Sequence, residues 1–203
     1  MTNRYKIISI AIILILVLTN ILTFTNYRDV RQAETETYRL LVNRFYSYGI
    51  LLSYDYTHLI NERIKNETMD EEGIRVWLNE VVTNMKIAEE TSSIAATHWN
   101  NTTGDQNRYD SVSEISHFYK SIHTNLLDII NTEKDYSVLV KNVMELEEIL
   151  EIIKNNTSEQ RIVDADYNEI KKQWRELMDL VYEEKADSRL LKSYFSTYYS
   201  NES

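Results

Sequence analysis

Residues 109–154 read YDSVSEISHFYKSIHTNLLDIINTEKDYSVLVKNVMELEEILEIIK, and their phase decides what kind of helical body the chain builds. Ile115, Ile122, Ile129, Tyr136, Val143 and Leu150 fall on one seven-residue column, and Phe118, Leu139, Leu146 and Ile153 on a second. Apolar positions at this period form the seam of a helix packed against other helices. The column stays in phase through Asn131-Thr132. The pattern therefore predicts one helix from about Tyr109 to Lys154, with a hairpin at Asn131 to Lys134 as the alternative.

The same period continues on both sides. Upstream, Tyr38, Phe45, Leu52 and Leu59 share a column with Leu41 and Tyr48 beside it. Ile74, Val81, Ala88 and Ala95 share the next, flanked by Trp77, Leu78, Met85 and Ile94, in a helix expected to end near His98. Downstream come Val163, Ile170, Leu177, Leu191 and Tyr198, with Tyr167, Trp174, Val181 and Phe195 alongside. Glu184 occupies a position in that column and is expected to face water, because buried carboxylates are rare. Turns are expected at Asn66–Asp70, Asn100–Asp105 and Asn155–Ser158, with Thr68 and Glu71 as a capping box.

Zero Pro and three Gly in 203 residues argue against strand-rich and α/β folds, which need turn-formers at regular spacing. The fold class expected is all-α: a single N-terminal transmembrane helix continuing into an antiparallel four-helix bundle with long helices. The domain organisation expected is a short basic tail over 1–6, a transmembrane signal-anchor over 7–25 and a helical-bundle domain over 26–203.

The anchor expectation rests on residues 7–24, IISIAIILILVLTNILTF, which carry no charge. As a helix the run spans roughly 27 Å, close to the hydrocarbon thickness of a bilayer. Ile7, Ile10, Ile13, Leu16, Leu18, Ile21 and Phe24 are its expected lipid-facing residues. A cleaved signal peptide competes, but Thr23-Phe24-Thr25 is a poor cleavage site, so the segment is expected to be retained. No Cys follows it to accept a lipid. The signal-like start favours export, and the body is taken as extracytoplasmic. Arg28, Arg31, Arg39 and Arg44 argue the other way by charge count.

All 32 acidic residues follow this run, and the net charge is −10. A surface this negative repels nucleic acid, which is set aside as a partner. Without Cys there are no disulfides, thiolate metal sites or Cys nucleophile. The excess of Asn, Ile, Lys and Tyr resembles AT-rich coding in a low-GC bacterium or its phages. The N-x-S/T triplets at Asn66, Asn100, Asn101, Asn155, Asn156 and Asn201 follow from that bias and carry no functional weight.

Two spacings invite a carboxylate-bridged metal: Glu114-Ile115-Ser116-His117 and Asp55-Tyr56-Thr57-His58, since a carboxylate three residues before a His shares its helix face. The register points His117 outward and puts Glu114 at the flank of the seam, so neither metal nor cofactor is expected. His98 and His123 stand alone. No phosphate loop, nucleophile elbow or metalloprotease motif occurs, and the chain is not expected to be an enzyme.

Two surfaces remain. Glu80, Glu89, Glu90, Glu145, Glu147, Glu148 and Glu151 form acidic faces that could meet a basic partner or loosely held cations. Tyr194, Phe195, Tyr198 and Tyr199 form an aromatic stripe that could sit at the membrane interface, dock a partner or simply pack as the last turn. The function expected is a membrane-anchored bundle that binds a protein partner in the cell envelope as regulator, inhibitor or scaffold. The alternative is a small-ligand sensory bundle acting through a separate signalling partner, and a homo-oligomer is compatible with either.

Overall fold

The computed structural model describes the backbone of residues 2–103, 109–158, 162 and 167–199, and the side chains of 13–97, 113–158, 162 and 169–199. Among the described residues the structure is all-α, without a strand. The chain divides into two compact units, Met1–Tyr38 and Arg39–Ser203.

Helix α1 spans Thr2–Tyr46, as expected of a sequence without Pro or Gly over that range. Within the first unit its apolar run is uncovered: Ile13, Leu16, Leu18, Ile21 and Phe24 are all more than half exposed. Ile7 and Ile10 precede the described side chains. Among those side chains no helix is long and apolar enough to cross a membrane; the first six residues of the run 7–24 fall outside them. Thr19 Oγ1 donates to Ile15 O at 2.8 Å and Thr25 Oγ1 to Leu22 O at 3.0 Å, so the run's hydroxyls are satisfied by their own helix.

In the second unit the end of α1 passes into a π-helical turn, Ser47–Leu52, and then into α2, Ser53–Lys65. This turn corrects the sequence register. Phe45 is buried as expected, but Leu52 and Leu59 are more than one-third exposed, and Ser53 and Ile60 are buried in their place. A π turn holds one extra residue, which moves the inward column on by one. Gly49 permits the close packing there, since a Cβ at this position would lie 2.2 Å from Tyr119 Cε1 and 2.8 Å from Ala88 Cβ. The hydroxyls brought inside bond to their own helix: Ser53 Oγ to Tyr48 O at 2.9 Å and Thr57 Oγ1 to Ser53 O at 2.6 Å.

Helix α2 ends in a Schellman motif. Thr68 N donates to Arg63 O at 2.9 Å and Glu67 N to Ile64 O at 3.0 Å, with Glu67 in the left-handed region at φ 54°. The cap of the next helix is therefore not Thr68, whose hydroxyl serves α2 by donating to Arg63 O at 3.1 Å. Asp70 takes that role, accepting from Gly73 N at 2.9 Å through Oδ1. Helix α3, Glu71–Thr103, runs past the expected end near His98, so residues 100–103 are helix rather than loop. The rest of that expected loop, 104–105, lies outside the described residues.

The single helix expected from Tyr109 to Lys154 is two helices, α4 over Tyr109–Thr132 and α5 over Tyr136–Asn156. The break at 133–135 is built by capping at both ends. Arg75 of α3 donates to the terminal carbonyls of Ile130 and Glu133. Asp135 Oδ1 accepts from Ser137 N at 2.8 Å and starts α5. The shared phase survives because the inward positions on either side of the link are separated by a multiple of seven; only Tyr136, at the link itself, is exposed.

Contacts set the directions. Residues 49 and 56 of the first pass meet 88 and 77 of α3, which is therefore antiparallel to it. Ser116 approaches Glu89, and Arg75 meets Ile130, so α4 runs antiparallel to α3. Lys154 meets Asp55 while Glu147 meets His58 and Asn61, so α5 runs antiparallel to α2. Helix α6, Tyr167–Lys185, runs back along α5 (Lys185 to Glu148) and parallel to α4 (Arg175 to Glu114, Arg189 to Asp128). A short α7, Lys192–Tyr198, folds back onto α4. Among its described residues the second unit is thus five antiparallel passes closed by a short sixth, which corrects the four-helix count. Ile74, Val81, Ala88 and Ala95, then Ile115, Ile122 and Ile129, then Val143 and Leu150, then Ile170, Leu177 and Leu191 all lie in its core, while Glu184 is exposed. Val163 and Tyr167 lie outside the described side chains.

Candidate functional site

Two features that looked unrelated in the sequence meet at one place. Glu114, three residues before His117 on α4, is the most enclosed carboxylate among the described residues, its side chain 2% exposed. Its Oε2 accepts from Arg175 Nε of α6 at 2.8 Å, and its Oε1 from the Tyr194 hydroxyl of α7 at 2.8 Å. The Arg175 guanidinium lies 5.9 Å from the centroid of the Tyr198 ring, whose hydroxyl is 2.7 Å from His117 Nδ1. Tyr199 donates to Asp179 Oδ1 at 2.8 Å.

The chain reaches this arrangement through the turn after α6. Ser121 Oγ donates to Leu190 O at 2.9 Å and Asn125 Nδ2 to the same oxygen at 3.1 Å, holding the turn against α4. Ser188 N donates to Lys185 O at 2.9 Å, which reverses the backbone. Helix α7 then lays its aromatic side onto α4 and α6. Phe118 meets Trp174 at 5.1 Å and Tyr194 at 5.8 Å, edge to face, and Tyr199 stacks on Tyr182 at 4.4 Å. Tyr194, Phe195 and Tyr199 are buried and Tyr198 is partly covered. Tyr194, Phe195 and Tyr199 thus pack inside the bundle, the packing alternative named for this stripe, while Tyr198 keeps part of its ring open.

The electrostatics follow from the enclosure. Burial, and then the neighbouring Glu114 charge, push the Tyr194 phenol well above its ordinary value. Burial and the Asp179 bond raise the Tyr199 phenol in the same sense. Burial works against the Arg175 charge, but Glu114 outweighs it and the guanidinium is held more firmly protonated. Glu114 has a partner on each oxygen and its charge is neutralised. It acts as a pin between three helices, with neither oxygen left facing a space where a reacting group could sit.

The other histidine spacing has a different outcome. Asp55 is exposed and pairs with Lys154 at 3.8 Å, while His58 Nδ1 sits 2.5 Å from Glu147 Oε1. The second Glu147 oxygen accepts from the buried Asn61 amide. His123 Nδ1 lies 2.9 Å from Glu89 Oε2, and His98 lies outside the described side chains. Among the described residues no three His, Asp or Glu side chains gather where they could hold a metal.

The acidic faces are partly occupied as well. Glu147 has a histidine partner, Glu148 meets Lys185 and Glu145 meets the Ser188 hydroxyl; Glu89 lies beside His123 without a hydrogen bond from its Nδ1, and Glu80, Glu90 and Glu151 are exposed. The Glu114 pin is the feature that seam geometry missed. Ile115 and Phe118 beside it are both buried, and a carboxylate adjacent to such a pair is covered as soon as a further helix closes over it.

Comparison with models of protein families, with curated proteins and with solved structures gives no match.

Proposed function

We propose that this chain is a membrane-anchored, extracytoplasmic helical-bundle protein whose body binds a partner protein in the cell envelope. The observation that carries the anchor is the uncovered apolar surface of α1. Ile13, Leu14, Ile15, Leu16, Val17 and Leu18 are consecutive, so they point to every side of the helix, and all are about half exposed or more. A helix apolar all round is stable in a packed core or in lipid, and the run continues upstream through Ile7 and Ile10. The partner reading is supported by the acidic surface that stays exposed at Glu80, Glu90 and Glu151, which a basic partner could meet.

Fractionation of cells expressing the full chain tests the anchor. The protein is expected in the membrane fraction after alkaline extraction, and Leu16→Lys is expected to release a large share of it, since a lysine at a span's centre costs about 3 kcal/mol. Recovery of the unmodified chain in the extract would overturn the anchor. Protease added to intact cells is expected to digest the body. Crosslinking in intact membranes is expected to trap one specific envelope protein, and a protected body or a chain that crosslinks to nothing would overturn the partner reading.

A further inference from the structure

Between α5 and α6 the surface dips in two adjoining dents that share Glu148, Glu184 and Lys185 in their walls. Together they make one groove, open to solvent and wholly within the second unit. Its α5 side runs from Lys141 to Asn156, roughly 22 Å at the standard helical rise. Apolar side chains are left open along it: Met144 is 46% exposed, Leu180 is 38% exposed, and Ile152 is partly covered. The same groove is acidic. Glu145, Glu148 and Glu151 line it from α5, and Glu183, Glu184 and Asp187 from α6 and just past its end, against two cations, Lys141 and Lys185.

Little of this charge is used within the bundle. Glu148 takes Lys185 and Glu145 takes the Ser188 hydroxyl, but Glu151, Glu183, Glu184 and Asp187 have no hydrogen bond or ion pair among the described residues. The three α5 acids stand at three-residue steps, a spacing at which like charges repel. A positively charged occupant relieves that repulsion, and an apolar one covers Met144, Ile152 and Leu180. A metal ion does neither well, and no three acidic groups among the described residues gather to hold one. A helix with an apolar stripe flanked by lysine or arginine does both, and the furrow between two packed helices is the shape that accepts a third.

We propose that the α5–α6 groove docks a basic amphipathic helix of about four turns, carried by the partner protein. Its leucine-sized side chains cover Met144, Ile152 and Leu180, and its lysines or arginines meet Glu151, Glu183, Glu184 and Asp187. This rests on the partner reading above and narrows its acidic surface to one groove.

The test uses the full chain in detergent micelles, with protein-free micelles as the baseline. The probe is a fluorescent Leu/Lys peptide of about 15 residues whose leucines recur at helical spacing. Saturable binding above the baseline is expected, weakening as salt is added. Zero-length coupling of peptide lysines to protein carboxylates is expected to map to Glu151, Glu183, Glu184 and Asp187. Glu151→Lys with Glu184→Lys is expected to cost about tenfold in affinity, and Met144→Asn with Leu180→Asn severalfold, with helical circular dichroism retained in both. Glu80→Lys with Glu90→Lys, on α3 outside the groove, is expected to change affinity by less than about twofold. Absence of binding would overturn the proposal. An equal loss from the α3 reversal would overturn the groove and leave a basic partner standing. Undiminished binding by Met144→Asn with Leu180→Asn would overturn the amphipathic helix in favour of a simple polycation. A chain that traps no envelope protein while the peptide still binds in the groove would overturn the partner reading alone.

Discussion

Glu114-Ile115-Ser116-His117 and Asp55-Tyr56-Thr57-His58 have the same spacing on two helices of one bundle, and they end in opposite environments. Glu114 is enclosed between α4, α6 and α7 with a bond on each oxygen, whereas Asp55 faces water beside one lysine. On the Asp55 side the enclosed carboxylate is Glu147, which comes from across the groove on α5 and takes both His58 and Asn61. Spacing along one helix decides which side chains share a face. What lies opposite that face decides whether a carboxylate becomes a buried pin or a solvated charge.

The largest effect that sharpens this contrast is alkaline. Tyr194 and Tyr199 keep their protons in the folded bundle well past pH 10, while the unfolded chain releases them near that value. Their contribution to stability is then constant below about pH 10 and is lost as pH rises beyond it, by about 1.4 kcal/mol per pH unit for Tyr194 alone. The share of the tyrosinate absorbance that Tyr194→Phe and Tyr199→Phe remove should appear together with loss of helical circular dichroism; early titration of these phenols in a folded chain would break the enclosure argument. Next is Glu114→Ala, expected to cost about 2 kcal/mol in urea unfolding, a figure kept modest because Arg175 is nearly half exposed.

Smaller effects follow. Glu147→Ala should cost about 1 kcal/mol by leaving the buried Asn61 amide unpaired. Tyr194→Phe should cost about 1 kcal/mol, since it removes one bond to Glu114 and leaves the Arg175 pair. Asp55→Ala should change stability by less than about 0.5 kcal/mol. If Asp55→Ala costs as much as Glu114→Ala, the two sites do not differ in the way their surroundings indicate.

The helical class and most of the core were legible as seven-residue columns, because Ile, Leu and Val at that period have few other uses. The break at 133–135 was hidden by the same device, since its two sides share a phase. The readable signal was local: Asp135 two residues before Ser137, an N-cap pattern that closes the polar stretch 131–135. The aromatic stripe was legible as a stripe, but the direction it faces depends on the reversal at residues 186–191, which no periodicity encodes. The anchor reading rests on composition alone, and its test lies in membranes.

The π turn at Ser47–Leu52 has a consequence for how this helix can vary. Beyond it, two stripes lie side by side on the same rod: a hydroxyl-bearing one at Ser53 and Thr57 that faces inward, and a leucine one at Leu52 and Leu59 that is left outside. They are one residue apart, so winding the turn back into a regular α-helix with every residue kept would rotate the helix beyond it by about 100° and exchange them, whereas deleting one residue from the turn takes away the extra residue it holds and leaves the hydroxyl stripe facing inward. A one-codon deletion here works as a straightening step that keeps the inner face of the helix as it is.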